Sequence, residues 1–208
     1  MTTSSGQERE RWNQKYRDAA AARPIGTTAP DPFLTLAFSE FVLPLFPNGG
    51  TALDLAGGTG RHAIWLAKQG WEVTLIDISE TGVEQAQQNA GPLSSRIRFV
   101  VDDLTHLEAW QTRCQVGIEV GFEVVMTFFY LERKIFPQIV RAIRPGGLLV
   151  YKTRTSAPAK LDGGPRGPKN PAYLLEPGEL LQLAKGVRVL HYREEAGNLS
   201  TAELVAIA

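Results

Sequence analysis

The residues of this chain whose types and spacing could do chemistry gather at one glycine-rich turn, Asp54-Leu55-Ala56-Gly57-Gly58-Thr59-Gly60. The turn follows an apolar run of strand length and opens a segment of helical period. Its glycines would let the backbone approach a ligand, and the first turn of the helix would offer N–H groups without partners. Alone, this signals a nucleotide-type site, and Gly58-x-Gly60-x-x-Ala63 even satisfies the dinucleotide fingerprint. An NAD(P)-binding Rossmann oxidoreductase is therefore the competing reading. Asp54 separates the two, because a carboxylate at the carboxyl end of the first strand repels a pyrophosphate and suits an ammonium group.

S-adenosylmethionine carries an ammonium and a sulfonium and no phosphate, so its charge fits an acid-containing turn. A second carboxylate, Asp77, ends the next apolar run in Val73-Thr74-Leu75-Ile76-Asp77-Ile78, 23 positions beyond Asp54. That is the spacing at which an acid on the adjacent strand accepts the hydroxyls of a ribose diol; Ser79 is left to cap the following helix. A third acidic pair, Asp102-Asp103, follows the run Ile97 to Val101. There a carboxylate, Asp103 by preference, can accept from an adenine amino group while the Leu104 N–H donates to the ring.

The elements that must position these groups alternate along the chain. Thr51 to Ala56 reads as a strand, then Arg61 to Lys68 as a helix; Glu72 to Ile76 is followed by the helix Glu80 to Asn89. Ile97 to Val101 and Phe122 to Thr127 are further strands. A helix over Leu131 to Ile143 stops before Arg144-Pro145-Gly146-Gly147, and Leu148 to Lys152 is a fifth strand. Continuous Val, Ile and Leu runs with helices between them predict a mostly parallel sheet covered on both faces, an α/β Rossmann-like three-layer sandwich. After the helix Pro177 to Ala184, Val187 to Glu194 and Ser200 to Ala206 are joined by five residues, which forces an antiparallel hairpin. Ala19 to Pro32 and Ser156 to Pro171 read as loops.

Lys plus Arg and Asp plus Glu both number 22, so the chain lacks the basic excess that phosphate-backbone binding rewards, and no nucleic-acid partner is expected. With 43% hydrophobic residues, a lone Cys114, a polar start and no apolar run near membrane-spanning length, the expectation is one cytoplasmic domain over 1–208 with no membrane partner. Residues 1–32 would form an N-terminal cap segment, and 154–175 a lid loop at the substrate edge. Lys160, Arg166 and Lys169 would make that lid cationic and suited to a small anionic acceptor. The three histidines show no metal spacing, and no metal is expected.

With these pieces in hand, the chain resembles class I S-adenosylmethionine-dependent methyltransferases, most closely the bacterial tellurite-resistance-type branch. The matching stretches are Trp12-Asn13-Gln14-Lys15-Tyr16-Arg17, the Asp54 to Arg61 turn, Ile76-Asp77-Ile78-Ser79, Phe128-Phe129-Tyr130-Leu131, Arg144-Pro145-Gly146-Gly147 and Pro177-Gly178-Glu179-Leu180. The resemblance implies a seven-stranded sheet whose last strand is antiparallel. It also implies that Asp54, Ala56, Gly58, Gly60, Arg61, Asp77, Ile78, Asp102, Asp103, Leu104 and Phe128 hold the cofactor. Trp12 and Tyr16, one helical turn apart, would close over it. Ala56 departs from the usual first glycine of the turn, and Lys152 stands where relatives often carry an acid.

The function implied is methyl transfer to a small-molecule acceptor, such as a thiol or a tellurite- or selenite-like oxyanion; a cofactor-binding module without catalysis is the non-enzymatic reading. Tyr130 and Arg133 are the substrate-side candidates. His62, in the first turn of its helix, is a further candidate, although a helix-surface position is the plainer expectation. Thr127-Phe128-Phe129-Tyr130 lacks the two prolines of nucleobase amine methylation.

Overall fold

The computed structural model describes residues 5–22, 29–105, 121–156, 170–196 and 200–208. Seven strands form one sheet in the order β3-β2-β1-β4-β5-β7-β6. They are β1 (Thr51–Leu55), β2 (Glu72–Asp77), β3 (Ile97–Val101), β4 (Phe122–Phe128), β5 (Ile143–Arg154), β6 (Arg188–Glu195) and β7 (Thr201–Ile207). β1 to β5 pair in parallel; β7 runs antiparallel to both β5 and β6. The expected hairpin is present, and its second strand, the antiparallel last strand, inserts between β5 and β6. β7 is buried along almost its whole length and β6 is largely exposed, so the more apolar strand takes the inner place.

One face of the sheet is covered by α2 (Pro32–Ala37), α4 (Arg61–Lys68) and α5 (Glu80–Ala90), the other by α6 (Phe136–Arg141) and α7 (Glu179–Leu183). This is the three-layer arrangement expected. α1 (Ser5–Ala22) lies outside, against α5; Ala19 to Ala22, read as loop, extend it because alanine is the strongest helix former. α2 is absent from the sequence reading. Asp31 caps it by accepting from the Phe33 amide at 2.9 Å, Pro32 fixes its first turn, and it continues through a π-helical turn, Phe38–Val42, into α3 (Leu43–Leu45). The helix expected over Leu131 to Ile143 is shorter: a 3₁₀ turn, Arg133–Ile135, precedes α6, because Pro137 fits only the first turn of a helix. Of the expected helical residues only Ile143 passes to β5, which also takes in Arg144-Pro145-Gly146-Gly147.

Alternation along the strands decides what reaches the site. Ala52, Leu75, Met126, Val150 and Val205 belong to the core under α2, α4 and α5. By the period of two, Asp54, Asp77, Phe128, Lys152, Arg154 and Glu203 point to that same face.

Candidate functional site

Asp54 ends β1 under the glycine turn and is 1% exposed. It accepts from the Ala63 amide in the first turn of α4, while its Oδ2 has no hydrogen-bond partner among the described residues. Burial, with the nearby Asp77 charge adding to it and the Ala63 amide and Arg61 opposing, pushes its pKa up to about 8. The turn itself is tied down by Gly57 N–H to Ile76 O at 3.1 Å and Gly60 N–H to Gly57 O at 3.0 Å. A Cβ on Gly57 would meet Leu75 Cγ at 2.7 Å and Asp54 Oδ2 at 2.9 Å. Ala56 adopts φ 57°, a left-handed conformation that its methyl group disfavours.

Asp77 Oδ2 accepts from the Gly58 amide at 2.8 Å and Oδ1 from the Ser79 amide at 2.9 Å. The carboxylate thus joins the first turn to the second, and burial raises its pKa despite those amides. Ser79, not Asp77, caps α5 by accepting from Gly82 N–H at 3.0 Å. Ile78 is half-buried beside it. Asp102 and Asp103 are buried past the end of β3. Asp102 Oδ1 accepts from the Asp103 amide at 2.9 Å, and Asp103 Oδ1 holds the Thr105 amide and hydroxyl at 2.8 and 2.7 Å. Leu104 is buried with them. The sequence therefore brings four acids and the glycine turn to one crevice.

Tyr16 closes that crevice from outside. Its hydroxyl lies on Gly58 and its ring edge on Gly82, where a Cβ would stand 2.8 Å away. Asn13 anchors the helix beneath it: Oδ1 accepts from Ser79 Oγ at 2.6 Å and from the Thr81 amide at 3.2 Å. Burial first, then Asp77 and Asp54, drives the Tyr16 pKa upward. Trp12 stacks beside Tyr16 with ring centroids 5.9 Å apart and takes Lys15 on its face at 4.0 Å.

At the carboxyl ends of β4 and β5 the chemistry changes sign. Phe128 is buried between His62 and Phe33, with centroids 4.1 and 6.4 Å away. His62 is 4% exposed, which corrects the helix-surface expectation: α4 turns its first residues toward the sheet. Among the described residues its Nε2 has no hydrogen-bond partner, and burial followed by the Arg61 charge lowers its pKa to about 3. Phe129 adopts φ 59° and donates its amide to Lys152 O at 2.7 Å, leaving its ring 36% exposed. Lys152 Nζ meets Asp31 Oδ1 and Glu203 Oε1, each at 2.9 Å, and these contacts raise its pKa against the effect of burial.

Residues 52–147 match the family described as "Methyltransferase domain". Over those residues, just under half of the chain, it is similar to methyltransferases. Among curated relatives, YqeM of Bacillus subtilis, named as a methyltransferase, is 30% identical over 128 residues, 57% of this chain and 48% of its own. The tRNA 5-carboxymethoxyuridine methyltransferase of Escherichia coli is 29% identical over 109 residues, 50% of this chain and 40% of its own. The chain spans about half the length of the curated relatives it matches. Among solved structures, TehB of Haemophilus influenzae aligns over 97% of this chain and 67% of its own, with a TM-score of 0.66 at 16% identity. That likeness concerns the fold.

The strand order of the sheet also speaks against the dinucleotide reading. Dinucleotide-binding sheets end in a parallel sixth strand, whereas here the antiparallel β7 lies inside β6.

The two substrate-side candidates are placed differently. Tyr130 is half-buried on the opposite face of the sheet, and its carbonyl accepts from the Tyr151 hydroxyl at 2.6 Å. Arg133 gives Nε and Nη2 to Glu179 at 2.6 and 2.9 Å, and Nη1 and Nη2 to the Ala172 and Leu174 carbonyls. Four of its five donors are thus spent clamping α7 and the residues before it. The lid expectation falls mainly on residues 157–169, and Cys114 and His106 likewise lie outside the described residues. Sequence reasoning missed Phe129, Arg154, Asp31 and Glu203. The signal for Arg154 was present as the alternation Leu148, Val150, Lys152, Arg154; nothing local marks Asp31 or Glu203 as partners of Lys152. A shallow depression lined by Thr51, Glu72, Arg96 and Phe122 lies at the amino ends of the strands, away from the ligand edge of such sheets.

Proposed function

We propose that this chain binds S-adenosylmethionine in the acidic crevice at the ends of β1, β2 and β3. It then transfers the methyl group to a small-molecule acceptor at the ends of β4 and β5. The observation that carries the reading is Asp54, a buried carboxyl whose Oδ2 lacks a partner among the described residues, beside a turn with no room for a side chain at Gly57. A pyrophosphate there would face a carboxylate; an ammonium would pair with it and draw its pKa down. The cofactor, when bound, supplies a methyl carbon already activated by its sulfonium.

The protein's own groups bind and exclude water. Asp54 takes the ammonium, and the remaining lone pairs of Asp77 take the ribose hydroxyls. Asp103 and the Leu104 amide border the adenine, and Tyr16 covers the turn. Methyl transfer then depends on positioning more than on proton transfer. His62, held neutral with a pKa near 3, is a poor base at neutral pH, which favours acceptors that need none, such as thiolates or selenium and tellurium oxyanions.

S-adenosylhomocysteine at a concentration far above its Kd should raise the Tm by several degrees, and NADH should not. Tritiated cofactor offered with thiols, selenite, tellurite and total tRNA should label a small molecule. Labelling of tRNA alone would move the acceptor to the class named for the Escherichia coli relative. Binding without label in any arm would leave a cofactor-binding module.

A further inference from the structure

Lys152 and Arg154 stand two apart on β5 and point to the same face, but their charges are treated differently. Lys152 is held between two carboxylates. Arg154 Nη1 is buried and has no acceptor among the described residues. Its guanidinium lies over the Phe129 ring, Cζ 4.8 Å from the centroid, and the Arg61 guanidinium approaches the same ring at 5.9 Å. Phe129 is kept in a left-handed conformation with about a third of its surface in solvent (36% exposed), a strain of the kind proteins retain at ligand sites. Buried His62 Nε2, also without a partner, lies one residue from Arg61 against Phe128.

We propose that the Phe129 ring and the Arg154 guanidinium form the acceptor seat, and that the acceptor is an organic molecule carrying a carboxylate on an apolar body; this rests on the methyl-transfer reading above. A planar fork with an unused buried N–H matches a carboxylate in charge and in shape. The exposed ring argues for an apolar body, since a bare mineral oxyanion gains nothing from an aromatic face. Arg61 opens α4 immediately after Gly60, so the seat adjoins the cofactor turn.

The test is calorimetric titration of the S-adenosylhomocysteine-loaded protein with benzoate, its neutral isostere benzamide, and selenite. Benzoate should bind roughly tenfold more tightly than either of the others. Arg154→Met should bring benzoate down to the benzamide level while S-adenosylhomocysteine affinity stays within a factor of about two; Arg154→Lys, which keeps the charge and loses the fork, should recover only part of the preference. Equal binding of benzoate and benzamide, an unchanged preference in Arg154→Met, or selenite as tight as benzoate would overturn the proposal. If S-adenosylhomocysteine fails to bind, the methyl-transfer reading falls separately. The same titration of the unliganded protein then decides the carboxylate seat by the same criteria.

Discussion

The carboxyl edge of this sheet holds two halves of opposite charge. At the ends of β1, β2 and β3 the chain gathers Asp54, Asp77, Asp102 and Asp103; at the ends of β4 and β5 it gathers Phe128, Phe129, Lys152 and Arg154, joined by Arg61. Each half contains one non-glycine residue at positive φ at a strand end, Ala56 and Phe129. Each also contains buried titratable groups forced toward neutrality, Asp54 and Asp77 upward and His62 downward. The acidic half suits a cationic cofactor and the basic half an anionic acceptor, so the field across the gap would draw each ligand to its own side. The halves differ most in what holds them. Backbone amides of its own turns hold the acidic half, and side chains distant in sequence hold the basic one.

The strongest way to break this division is Asp77→Ala. It removes an ionised acceptor shared by two turn amides and the proposed diol. S-adenosylhomocysteine binding should weaken by about 2 kcal/mol or more in calorimetry, with far-UV dichroism retained. Unchanged affinity would reduce Asp77 to a clamp between turns.

Next in size is the opposed pH response of the unliganded protein. Asp54 has a folded pKa of about 8 against an ordinary 3.8, so its contribution to stability is full below pH 3.8 and is lost as pH rises toward 8. His62 has a folded pKa of about 3 against 6.5, so its contribution is full above pH 6.5 and is lost as pH falls toward 3. The two slopes cancel between pH 3.8 and 6.5. Asp54→Asn should therefore gain on the parent by about 2 kcal/mol between pH 6.5 and 8, and His62→Leu should gain on it as the pH falls through the acid range. Denaturant titrations across pH check both; parallel curves for parent and variants would remove the buried-charge account.

The smallest effect sharpens the comparison of the two strained positions. Ala56→Gly should raise stability by about 0.5–1 kcal/mol and leave acceptor binding alone, because only a disfavoured methyl is removed. Phe129→Gly should relieve similar strain yet weaken benzoate binding. A variant pair that behaves alike in both measurements would deny Phe129 any part in the seat.

The acidic half was legible because its logic is short in range. Asp54 and the glycines lie within seven residues, Asp77 ends the adjacent strand, and α4 occupies the span its period predicts. The basic half was only partly legible. Lys152 stood out as a departure, but its meaning depends on Asp31, 121 residues earlier, and on Glu203, its register partner on β7. His62 reads as a surface position on helical period alone, and Arg133 reads as a free cation until Glu179 is brought to it.

What the sequence by itself determined is the alternation of strands and helices, the hairpin at the end and the chemistry of the first turn, since each follows from hydrophobic period and local backbone preference. What only the tertiary structure decided is the insertion of β7 between β5 and β6. That placement puts Glu203 beside Lys152 and leaves Arg154 Nη1 without an acceptor among the described residues. Its cause is the burial of the more apolar strand, a comparison between strands that no local stretch of sequence contains.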